Sequence, residues 1–81
     1  MSSCTKQQIY QAIANWAGVP VSQLNDSTIL NGLGGKNWPQ DAPALISSLE
    51  DVCQCTISQQ IYDNWVTVED IDDYLLPDDS Q

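Results

Sequence analysis

Asp41-Ala42-Pro43-Ala44-Leu45-Ile46-Ser47-Ser48-Leu49-Glu50-Asp51-Val52-Cys53 is the stretch from which the rest of the chain can be read. Leu45, Ile46, Leu49, Val52 and Cys53 recur at the 3.6-residue period of a helix, while Ser47, Ser48, Glu50 and Asp51 fall on the opposite face. Pro43 fits a first helical turn, where its missing N–H forfeits no bond, so Asp41 or Ala42 stands as the cap. The pattern predicts a helix over Ala42 to Cys53 with one side committed to a core.

Working towards the N-terminus, Thr5 and Gln8 have the spacing of a capping box, with Cys4 and Ile9 placed as its hydrophobic staple. Ile9, Ile13 and Trp16, flanked by Ala12 and Ala17, share a helical face until Gly18 and Val19-Pro20 stop it. The intervening Gly18 to Gln40 holds four glycines and two prolines and keeps no period. Leu24, Ile29, Leu30 and Leu33 are spaced to anchor this long loop to a core.

Towards the C-terminus, Ser58 is placed to cap a short helix reaching Asp63, with Ile57 and Ile61 inward. Thr67 and Asp70 form an acidic capping pair, with Val66 set to staple onto Ile71. Val68, Ile71, Tyr74 and Leu75 supply the inner face, Asp72 and Asp73 look outward, and a disordered tail is expected from about residue 77. The expectation is an all-α fold over residues 1–81, a single domain built as an irregular four-helix bundle. Its predicted core joins Ile9, Ile13, Trp16, Leu45, Ile46, Leu49, Val52, Ile61, Ile71 and Leu75.

Eleven acidic residues against Lys6 and Lys36 give a formal charge of -9, and six of the acids lie between Glu69 and Asp79. A field of this sign repels nucleic-acid phosphates and anionic membrane surfaces and draws in basic protein surfaces. The expected partner is a protein with a basic patch, bound by a monomer. There is no histidine, and Cys4, Cys53 and Cys55 make a poor zinc set, so no metal is expected. An odd cysteine count with no long apolar run points to reduced thiols and a cytoplasmic protein, in which Cys53 is a small core residue.

Leu24-Asn25-Asp26-Ser27-Thr28-Ile29 is similar to the first loop of the acyl carrier protein family, and Leu33-Gly34 to that family's turn into the second helix. Ala44 to Glu50 is similar to that helix's body, and Cys55-Thr56-Ile57-Ser58 to the step into the third. Val66 to Leu75 resembles the last helix, so the likeness covers about two-thirds of the chain. It implies a carrier-shaped domain that meets enzymes through its second helix, in an acyl or polyketide-type biosynthetic pathway.

The residue that makes such a domain a carrier is a serine, preceded by aspartate at the start of the second helix, to which phosphopantetheine is attached. Counting from Leu33-Gly34 puts Asn37 at that position, and counting back from Leu49-Glu50 puts Pro39 there. No hydroxyl side chain occurs between Thr28 and Ser47. No cofactor is therefore expected, although attachment at Ser27, Ser47 or Ser48 is a third reading. Without histidine, and with no cysteine beside a cation, catalysis is not expected either.

The surface implied for a partner comprises Trp38, Asp41, Glu50 and Asp51. Trp38 has two readings: an exposed binding anchor, as tryptophan often is, or a lid folded over the core. The function expected is a non-enzymatic interaction module or regulator without phosphopantetheine. The alternative is a small acidic inhibitor or immunity protein that masks a basic site.

Overall fold

The computed structural model describes residues 4–76 and is all-α, without a strand among those residues. Helix α1 spans Lys6–Ala17, α2 Ala42–Cys53, α3 Gln59–Tyr62 and α4 Val68–Leu75. The tail expected to be disordered lies outside the described residues.

Local chemistry accounts for the helix ends. The Thr5 N–H donates to Gln8 Oε1 at 2.8 Å and the Gln8 N–H to Thr5 Oγ1 at 3.2 Å, closing the capping box on α1. Gly18 ends α1 at φ 74, a left-handed conformation that needs no Cβ. At α4, Asp70 Oδ2 accepts from the backbone N–H groups of Val66 and Thr67, at 2.7 and 3.1 Å. Asp41 precedes α2 but makes no side-chain cap, and Ser58 none at α3, where its carbonyl accepts from Ile61 and Tyr62 instead.

One hydrophobic cluster draws on all four helices, and α1 packs chiefly on α2. Ile9, Ile13, Leu30, Leu45, Leu49, Val68 and Ile71 are fully enclosed, and Trp16, Val52 and Ile61 pack half-buried around them. The loop between α1 and α2 is ordered by two 3-10 turns, Val21–Gln23 and Leu33–Gly35. Leu24 and Leu30 anchor it as expected. Gly34 lies so close to Ala17 that an added Cβ would overlap the Ala17 carbonyl, which excludes any other residue there.

Beyond the missing Ser58 cap, the structure corrects the sequence at five places. Ile29 does not anchor the loop; it is 52% exposed and lies opposite Thr67 in an antiparallel bridge, secured by Leu30 N–H to Val66 O and Val68 N–H to Thr28 O. That backbone pairing, rather than a hydrophobic staple, joins the loop to the start of α4, and Val66 is left 56% exposed. Tyr74 is 40% exposed and lies against the edge of the core, its ring 5.8 Å from that of Trp65. Asp72, expected in solvent, is buried. Finally, Cys4 and Cys53 are joined by a disulfide, so neither is a reduced thiol and Cys4 is no simple staple. No helix among the described residues is long and apolar enough to cross a membrane.

Candidate functional site

The segment where the resemblance places an attachment serine is a turn held from several directions. The Asn37 N–H donates to Asp41 Oδ2 at 2.8 Å and the Trp38 N–H to Asn31 Oδ1 at 2.9 Å. The Trp16 indole N–H reaches the Asp41 carbonyl at 3.0 Å, tying the turn to α1. Asn37 is exposed and Pro39 half-buried, and neither carries a hydroxyl.

Trp38 is only 9% exposed, so it is the lid and not the exposed anchor, and it leaves the candidate partner surface. Its indole N–H donates to the Tyr62 carbonyl at 2.8 Å. Its ring stacks on Trp65 at 6.3 Å and meets the edges of Trp16 and Tyr62 at 5.8 and 6.2 Å. Such offset and edge contacts suit the aromatic quadrupole. The bulk of Trp38 thus bridges α1, α3 and the segment before α4.

The other three candidates separate by what already occupies their oxygens. Asp41 is exposed, yet its carboxylate closes the turn to Asn37. Glu50 Oε2 accepts from the Ile57 N–H at 2.7 Å, pinning the α2–α3 connection, so this acid is structural. Asp51 is exposed and stands where two surface depressions meet. One, about 420 Å³, runs past Glu50, Gln54, Cys55 and Thr56; the other, about 310 Å³, lies between α1 and α2 beside Gln8, Gln11, Asn15 and Ser48. The half-buried Cys55 thiol is pushed up in pKa by burial and then by Glu50, which disfavours thiolate.

A polar cluster that sequence reasoning missed joins α1, the first loop and α4. Lys6 Nζ lies 3.2 Å from Asp26 and 3.7 Å from Asp72. The Tyr10 hydroxyl donates to Asp26 Oδ1 at 2.9 Å, and Lys6 also sits 5.6 Å from the centre of the Tyr10 ring. The bonds from Tyr10 and then Lys6 hold the Asp26 carboxyl below its usual range, and the Asp26 bond raises Lys6. Tyr10 is pushed up to about 12, by burial first and by Asp26 second.

Asp72 is 8% exposed, and no hydrogen-bond donor among the described residues reaches either of its oxygens. Burial pushes its carboxyl up to about 6, against the pull of Lys6. The signal was present in the chain: Asp72 follows Val68 by four residues, which places it on the inner face of α4 with Ile71 and Leu75. Its charge argued the other way, and its tertiary partners could not be read.

No group of three or more His, Cys, Asp or Glu among the described residues is arranged to hold a metal ion. Compared with protein families, curated proteins and solved structures, the chain matches none.

Proposed function

We propose that this chain is an acyl-carrier-like helical module that bears no phosphopantetheine, performs no catalysis and works by binding a protein with a basic surface. The observation that carries this reading is the Asn37–Asp41 turn. The position where a carrier would present a serine holds Asn37 and Pro39 around an inward-facing indole, and its backbone is bonded to Asn31 and Asp41. A transferase would find no hydroxyl there. Ser47 and Ser48 lie further along α2, and the Ser48 hydroxyl turns back to the Ala44 carbonyl at 3.4 Å.

Exposed Asp51, Asp63, Glu69 and Asp73 remain for a basic partner, and on α2 the Glu50 carboxylate holds a backbone N–H whereas that of Asp51 holds none among the described residues. A place beside acyl-chain or polyketide-type enzymes follows from the resemblance alone. The cytoplasmic expectation rested on three thiols; with Cys4 and Cys53 joined, an oxidising compartment is the setting in which the bond persists. Titration with a thiol reagent of the protein unfolded in urea without reductant, which exposes the buried Cys4 and Cys53, separates the two settings, one equivalent meaning a retained disulfide and three a reduced protein.

The test of the carrier question is a mass spectrum after incubation with a broad-specificity phosphopantetheinyl transferase and coenzyme A. The expected result is an unchanged mass. A gain of one phosphopantetheine, abolished by Ser27→Ala, Ser47→Ala or Ser48→Ala, restores the working-carrier reading. For the interface, association with a specific partner should slow as salt rises from about 0.15 M to 1 M, where the screening length falls from roughly 8 to 3 Å. Asp51→Lys should then weaken binding more than Glu69→Lys with Asp73→Lys. The reverse order would favour charge mimicry by α4 and the inhibitor alternative.

A further inference from the structure

The carboxylates of the α1–loop–α4 cluster are unequally served. Asp26 receives the Tyr10 hydroxyl and the closer approach of Lys6, and it stays partly open to water. Asp72 receives neither; the Lys6 ammonium stands 3.7 Å away, beyond hydrogen-bond distance, and both carboxylate oxygens are shut off from solvent. Two negative charges therefore share one ammonium, and the buried one lacks a donor. An ionised carboxylate in that position is the unfavourable form, because it has lost its water and gained no bond in return.

We infer that Lys6, Asp26 and Asp72 form a proton-operated clasp, which holds α4 against α1 and the first loop more firmly when Asp72 is protonated than when it is ionised. A proton taken from solvent removes the buried charge and gives Asp72 an O–H donor beside the Asp26 carboxylate. Lys6 is then left to pair with Asp26 alone. The titratable groups facing Asp72 are Lys6 and Tyr10 from α1 and Asp26 from the loop, while its own helix adds exposed Glu69 and Asp73. Tyr10 stays protonated and Lys6 charged through the neutral range, because the shift of each is upward. Asp26, shifted downward, stays ionised until strongly acid pH.

The direction of the effect follows. Below its ordinary value of 3.8 Asp72 is protonated in both folded and unfolded chains; between that value and about 6 only the folded chain keeps the proton. The folded state therefore gains as pH falls from 7 to 4. Between pH 8 and pH 5 the gain amounts to about tenfold in the folding equilibrium constant.

The experiment is urea unfolding of the full chain at pH 5 and pH 8, for the wild type and for Asp72→Asn, which mimics the protonated acid. Acidification also relieves the general repulsion of a -9 chain, and the variant carries that common contribution. The wild type should gain about tenfold more than Asp72→Asn on going to pH 5, and the variant should be the more stable of the two at pH 8. NMR titration of the wild-type Asp72 carboxyl carbon provides a readout that needs no variant, with an expected midpoint near 6. Parallel pH profiles for the two proteins, or an Asp72 midpoint at or below about 4, would overturn the clasp.

Discussion

Trp38 contacts Trp16, Tyr62 and Trp65, and its N–H satisfies the Tyr62 carbonyl, so one side chain supplies both packing and a buried hydrogen bond. Trp38→Ala removes both and should destabilise the protein by about 3–5 kcal/mol. Trp38→Phe keeps most of the ring contact and leaves the carbonyl without its donor, for a smaller loss of about 1–3 kcal/mol. Urea unfolding measures each. If Trp38→Ala were as stable as the wild type, the indole would be on the surface and would return to the candidate interface. The same reasoning separates Glu50 from Asp51: adjacent acids on one helix differ because only Glu50 holds a backbone N–H.

That bond gives the α2–α3 connection its shape. The left-handed Gln54 ends α2, whose Glu50 carbonyl then accepts from the Gln54 and Cys55 N–H groups, while the Glu50 side chain captures Ile57. Glu50→Ala leaves the part-buried Ile57 N–H without its acceptor and should cost about 1–3 kcal/mol. Glu50→Gln keeps a side-chain oxygen in reach and should recover most of it. Hydrogen exchange at the Ile57 amide is the sensitive readout: it should quicken in the alanine variant and stay slow in the glutamine variant. Equal exchange in both would mean that Glu50 holds nothing and is available to a partner.

For the molecule as a whole, the disulfide is a long-range covalent constraint, joining residues 49 apart in sequence. It ties the start of α1 to the end of α2, the helices that pack most closely. In a chain of 81 residues the hydrophobic core is small, so a cross-link of that span matters, contributing about 4 kcal/mol by restricting the unfolded chain. Reduction, or Cys4→Ala with Cys53→Ala, should lower the urea midpoint substantially while leaving the helical circular dichroism signal in water. A midpoint indifferent to reductant would show that the bond is not formed in solution.

The helices, their ends and most of the core were legible because they depend on neighbours within about four residues: the apolar period of Leu45, Ile46 and Leu49, the Thr5–Gln8 box, Gly18 beyond α1 and Pro43 at the start of α2. The missing hydroxyl at Asn37 and Pro39 was equally plain, since it is a matter of residue identity. What decided the remainder was which distant residues the packing brought together. Asp72 is inside because its place beside Val68, Ile71 and Leu75 on α4 carries it into the core, where Lys6 stands as its counter-charge, Trp38 is a lid because Tyr62 and Trp65 offer rings and a carbonyl, and Ile29 stays outside because its neighbours pair through backbone with Val66 and Val68. Cys53 reads as a small core residue in its own helix and becomes half of a cross-link only when α1 lies along α2. Period and caps record the local backbone; a polar or aromatic side chain takes its place from tertiary partners, because burying it depends on whether a donor, an acceptor or a counter-charge is waiting there.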